Sequence, residues 1–134
     1  MSDVWVDANV LVRFLTADPP EMAQRARALW AQTEREGFRL HIPVLIIAEV
    51  VWVLGSFYKW QAPAIAEGLG KLIGLDQADV EDRDLVAAAL QMTVAANVSF
   101  VDAYLAAAAR KAGAPVASFD RNFRRLDVEW FEPA

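Results

Sequence analysis

The chain has 134 residues, 56% of them hydrophobic and 23% charged, and carries a net charge of −5 from 13 basic and 18 acidic side chains. That length and apolar content suit one folded domain with a buried core and exclude a disordered chain, while the net-acidic balance means any nucleic-acid role must rest on a local patch or a metal. No cysteine and a single histidine, His41, exclude disulfide scaffolds, thiol nucleophiles, cysteine zinc sites and a two-histidine acid–base ribonuclease.

The start, Met1-Ser2-Asp3-Val4-Trp5, lacks the basic and apolar regions of a secretory leader, so a cytoplasmic location is expected. Val4-Trp5-Val6 reads as a first strand ending at Asp7, with a helix over Asn9–Leu15 opening from the strand end. Asp18-Pro19-Pro20-Glu21 signals a helix start with Asp18 as N-cap. The helix runs to about Glu36, with Met22, Ala26, Leu29, Trp30 and Thr33 on one face, and Gly37 stops it. Phe38–Ile42 is a second strand. Pro43 opens a helix over Val44–Tyr58 that is apolar almost all round, so it must be buried or paired with another chain.

A further helix covers about Ala62–Ile73, and Ala78–Val80 forms a short edge strand. Asp84–Ala96 is helical, and an alanine-rich helix runs from Ser99 to Lys111, closed by Gly113. Strands at Pro115–Phe119 and Val128–Phe131 follow. The longest uncharged stretch, Leu85–Val101, contains Gln91, Thr93, Asn97 and Ser99 and is no membrane span. Strands alternating with helices predict an α/β fold: one domain over 1–134, with a central parallel sheet of about four to five short strands flanked by helices.

In such a sheet ligands gather outside the carboxyl ends of the strands. Asp7 ends the first strand, Asp120 follows the strand at Pro115, and Asp102 lies in the first turn of the helix from Ser99. Each also fits a structural role: Asp7 as a helix cap, Asp120 in an Asx-turn, Asp102 in a capping box. Glu49 interrupts the apolar helix, where a carboxylate is costly to bury unless paired or metal-bound. If the topology holds, all four converge at one sheet edge. Two carboxylates about 4 Å apart repel by about 4 kcal/mol at an effective dielectric of 20. No lysine or arginine lies within three residues of Asp7 or Glu49 to relieve this. A divalent cation is the usual relief, and oxygen ligands select Mg²⁺ or Mn²⁺.

Val6-Asp7-Ala8-Asn9-Val10-Leu11-Val12-Arg13-Phe14-Leu15 resembles the opening motif of the PIN domain. Ala48-Glu49-Val50 with Leu54 resembles the second motif, the run from Asp102 the third, and Ser118-Phe119-Asp120-Arg121-Asn122-Phe123 the fourth. The four occur in the family's order across the whole chain, and the length suits the VapC-type toxins of prokaryotic toxin–antitoxin pairs. The resemblance implies a metal-dependent endoribonuclease with Asp7, Glu49, Asp102 and Asp120 as catalytic metal ligands. It also implies a VapB-type antitoxin partner and products with 5′-phosphate and 3′-hydroxyl ends. Asn122 stands where many relatives carry another acid, which makes a second metal less secure.

Asn9, Arg13, Arg121, Asn122 and Arg124 are the expected substrate contacts, with Arg125 beside them and a solvated turn the plainer alternative for the arginines. His41 reads as a structural histidine, and Glu81, Asp82 and Asp84 as favouring a helix N-terminus. The apolar helix, with Trp30 and Trp60 as anchors, predicts a homodimer. A competing class is a non-catalytic PIN-fold module that binds RNA or protein, against which retention of all four acids argues. A receiver-like phosphoacceptor is excluded by Asp7-Ala8 in place of an acidic pair and by the absence of lysine beyond Lys111.

Overall fold

Short apolar runs become parallel strands and the stretches between them become helices in the computed structural model, which describes residues 3–134. Met1 and Ser2, with which the leader reading begins, lie outside the described residues. The chain forms two compact units, Met1–Asp82 and Arg83–Ala134.

The first unit holds β1 (Val4–Trp5), α1 (Ala8–Thr16), α2 (Pro20–Glu36), β2 (Leu40–Ile42), α3 (Val44–Ser56), α4 (Ala62–Ile73) and β3 (Ala78–Val80). The strands pair in parallel in the order β1-β2-β3, with Trp5, His41 and Asp79 in register. Parallel strands need crossovers, and each helix pair supplies one. Leu40 and Ile42 on β2 are buried with Leu11, Ile47, Leu54, Leu69 and Leu72. Helix α1 packs against both α2 and α3, and Phe14 meets the Trp30 ring at 5.4 Å between centroids.

The second unit holds α5 (Arg83–Ala96), α6 (Phe100–Ala112), β4 (Val116–Ala117), a 3-10 helix (Arg121–Arg125) and β5 (Trp130–Phe131). Helices α5 and α6 pack together, and β4 pairs in parallel with β5. Ala106, Val116, Phe123 and Leu126 form its small core. Ser99 caps α6 by accepting the Asp102 N–H, and Gly113 ends it at φ 67°, a left-handed conformation that suits glycine.

The five expected strands are all present and parallel, but hydrogen bonding divides them into a three-stranded and a two-stranded sheet rather than one. Strands of two residues carry few ladder groups, and β1 uses those it has on the β2 segment, with Val4 N–H donating to Arg39 and Val6 N–H to His41.

Three packing expectations change. Asp18 does not cap α2, whose N-cap position is Pro19; its carboxylate accepts the Tyr58 hydroxyl instead. The buried stripe of α2 is Ala23, Ala26, Trp30 and Thr33, while Met22 is exposed and Leu29 half-buried. Small alanines let α2 approach α1 closely, which rotates the stripe away from Met22. Trp30 therefore belongs to the core and is no interface anchor. Helix α3 buries a single stripe, Ile47, Val50 and Leu54, and leaves Leu45, Trp52 and Phe57 exposed.

Candidate active site

Asp7 stands where β1 hands over to α1. It is the N-cap of α1, and its Oδ1 accepts the Ala8 N–H at 2.7 Å. The structural role expected as an alternative is thus occupied, yet the side chain is exposed and an ionised carboxylate has about four lone-pair positions. One bond fixes its orientation and leaves the others for a cation. Asn9 follows on the exposed side of α1 and lines a groove of about 290 Å³ between α1 and α2, with Arg13, Arg25 and Leu29.

Glu49 lies on α3, which packs against α1. Its carboxylate is exposed, so no burial cost attends it and the desolvation argument for its function fails. What marks it is its company: exposed Leu45 and Trp52 stand four residues before and three after it, on the same helix face.

In the second unit, Asp102 is half-buried in the first turn of α6, a helix that packs against β4. Asp120 follows β4 as the N-cap of the 3-10 helix, its Oδ1 accepting the Asn122 N–H at 2.8 Å while its own N–H donates to Ser118 Oγ at 3.0 Å. Each unit therefore contributes one pair of acids on neighbouring elements: Asp7 and Glu49 in the first, Asp102 and Asp120 in the second. Within either unit, among the described residues, no three histidine or acidic side chains gather as a metal cage.

The donor chemistry of the four still fits a hard cation. They are carboxylate oxygens, and the one imidazole is engaged elsewhere. His41 lies 2.7 Å from Asp79 through Nδ1 and 3.1 Å from Asp3 through Nε2, and stacks on Trp5. This is the structural histidine expected. Asp3 is held below the usual carboxylate value, first by the Arg39 N–H it accepts and then by His41.

The basic residues divide into held and free. Arg13, expected at the substrate, is half-buried and donates from Nη1 to the Asp18 carbonyl and to the Tyr58 hydroxyl. It ties α1 to the segment after α3 and is a clamp rather than a free phosphate contact. Arg125 is exposed but held, donating to the Ala96 carbonyl and to Asn122 Oδ1. Asn122 thus holds Arg125 with its side-chain oxygen. Arg121 and Arg124 are exposed, and Arg124 borders an open groove with Arg110, whose guanidinium pairs with Asp127 at 3.0 Å.

Tyr58 and Glu81 hold long-range contacts that local sequence does not mark. Glu81 was expected at the N-terminus of α5; its carboxylate instead accepts the Val44 N–H at the start of α3, where Pro43 has no capping side chain. Both partners lie far away in sequence, so no local signal marks them. Phe119, within the fourth motif, is exposed directly before Asp120.

A relative from Aquifex aeolicus (strain VF5), the VapC ribonuclease, is 26% identical over 129 residues, covering 96% of this chain and 95% of the relative. The PIN domain family matches residues 4–129, a span that includes both units and all four acids. That match spans most of the chain, and the chain belongs to the PIN-domain family.

Proposed function

We propose that the protein is a metal-dependent endoribonuclease, the toxin of a type II toxin–antitoxin pair, acting in the cytoplasm as one nuclease domain over residues 1–134. The observation that carries this reading is the family match over residues 4–129 together with an acid at each of the four motif positions, Asp7, Glu49, Asp102 and Asp120. The relative's name, VapC ribonuclease, supports RNA as the substrate and a VapB-type antitoxin as the partner.

In this reading Asp7, Glu49, Asp102 and Asp120 would be the ligands of Mg²⁺ or Mn²⁺. When bound, such an ion neutralises phosphate charge and lowers the pKa of water. The protein's own groups do the rest. Asp7 and Asp120 each accept a backbone N–H with Oδ1, so each carboxylate is held within its own turn and keeps its second oxygen for a ligand. Glu49, exposed and unencumbered by burial, aligns the attacking water. That water adds to phosphorus as the bond to the 3′ oxygen breaks, and the leaving oxygen takes a proton, giving 5′-phosphate and 3′-hydroxyl ends. Arg121 and Arg124 neutralise flanking phosphates, with Asn9 as a further polar contact.

The test is cleavage of RNA by purified protein with Mg²⁺, with EDTA, and by Asp7→Asn. Asparagine remains a good N-cap, so the substitution removes charge while keeping α1 intact. The expected result is cleavage by the wild type with Mg²⁺, none with EDTA, and at least a hundredfold loss in the variant at an unchanged circular dichroism spectrum. Equal cleavage by variant and wild type overturns the assignment. RNA binding without cleavage under every divalent ion tried leaves the non-catalytic binding module as the answer.

A further inference from the structure

The strongest unexplained feature of the second unit is an aromatic ring beside an acid of the candidate site. Phe119 is 74% exposed, immediately before Asp120, in a protein whose core has room for phenylalanines at positions 38, 100 and 123. An isolated exposed phenylalanine needs no explanation. This one stands on a segment built to keep it in place. Ser118 N–H donates to the Phe131 carbonyl at 3.1 Å, and the Ser118 carbonyl accepts the Trp130 indole N–H at 2.9 Å. Ser118 Oγ accepts the Asp120 N–H, and Asp120 Oδ1 accepts the Asn122 N–H. The residues on either side of Phe119 are therefore anchored, and the ring is presented on a pinned turn.

Charge around the ring is arranged by the helix that follows. In a 3-10 helix, side chains three residues apart eclipse one another, separated by a rise of about 6 Å. Arg121 and Arg124 have that spacing and are exposed, while Arg125 is drawn back onto Ala96 and Asn122. The first unit carries seven basic against twelve acidic residues, whereas the second is balanced at six and six, with five of its six cations between positions 110 and 125. A polyanion is thus favoured at the Phe119–Arg124 segment over the acidic unit.

Resting on the ribonuclease reading above, we infer that Phe119 is a base-stacking platform: an unpaired base of the RNA lies on its ring while Arg121 and Arg124 neutralise successive phosphates of the same strand. An aromatic face next to cations is an arrangement by which proteins hold single strands, since every base has a π-face and the backbone supplies the charge. The pinned turn adds preorganisation, because no loop must be ordered when the strand binds. Phe119 forms no part of the chemistry; it positions the nucleotide beside Asp120.

The test measures binding separately from cleavage. Fluorescence anisotropy with a labelled single-stranded RNA in EDTA compares the wild type with Phe119→Leu, which keeps apolar bulk without the ring face, and Phe119→Trp, which keeps the face. The expected result is about tenfold weaker binding by Phe119→Leu and near-wild-type binding by Phe119→Trp, with quenching of the added tryptophan on binding. A duplex of the same sequence, whose bases are paired, should bind both variants like the wild type. If the wild type binds single-stranded RNA and Phe119→Leu binds it equally well, the inference fails and the ribonuclease reading stands. A wild type that neither binds nor cleaves RNA overturns both. Light scattering completes the set: loss of self-association in Phe119→Leu with unchanged RNA affinity would make the ring a contact between copies and overturn the platform.

Discussion

Single carboxylates in this protein hold backbone amides and a candidate ligand role together. Asp7 and Asp120 each accept a backbone N–H within their own turn, so the bond that begins the next helix also sets the direction of the site oxygen. This is why an isosteric amide separates fold from chemistry at position 7, whereas alanine would cost about 1 kcal/mol through the cap alone. Asp3 has a purely structural task. Its carboxyl is held below its ordinary value of 3.8 by the Arg39 N–H and by His41. A lowered folded-state value means stability that is present above about pH 3.8 and lost as pH falls through the lowered value. Asp3→Asn should therefore melt below the wild type at pH 7, with the gap closing as both are taken below that range. Thermal melts at a series of pH values check this, and a gap independent of pH would refute it.

Helices in the first unit are fixed by packing and by one polar clamp. Arg13 on α1 donates to Tyr58, and Tyr58 donates to Asp18, so one hydroxyl joins α1, the α1–α2 connection and the segment after α3. These are the elements that carry Asp7 and Glu49. Tyr58→Phe removes both bonds at almost no change in volume and should lower stability by about 1–2 kcal/mol. Urea denaturation measures it, and an unchanged midpoint would show that water replaces the hydroxyl at no net cost.

At the scale of the molecule, α3 shows the clearest unfinished surface. Leu45, Trp52 and Phe57 are 79%, 68% and 73% exposed along a helix that has no basic residue and whose only acid is Glu49. Contiguous exposed apolar side chains of this size mark association surfaces. The proposed homodimer uses this face, with Trp52 as its anchor in place of the buried Trp30. Fully burying a large apolar side chain contributes about 1.5–3 kcal/mol, and a symmetric interface counts it twice. Trp52→Ser should raise the dimer dissociation constant by about a hundredfold or more, read by light scattering over a concentration series. A wild type that is monomeric at micromolar concentration ends the proposal.

Local chemistry wrote most of the elements into the chain. Gly37 and Gly113 end their helices in the left-handed conformation that glycine tolerates, and Ser99 caps α6 because its hydroxyl reaches the Asp102 amide. These depend on neighbours within about four residues, and so does the alternation of short strand segments with helical ones along the chain. Tertiary structure decided what depends on distant partners. It split the strands between two sheets, gave Asp18 to Tyr58 rather than to α2, and gave Glu81 to α3 rather than to α5. It tied Arg13 and Arg125 to protein acceptors, left Arg121 and Arg124 exposed, and exposed Glu49 on a helix whose composition suggested burial. The physical reason is that a side chain's charge and shape belong to the sequence, whereas its solvent exposure and its hydrogen-bond partner are set by which other segment the fold brings against it.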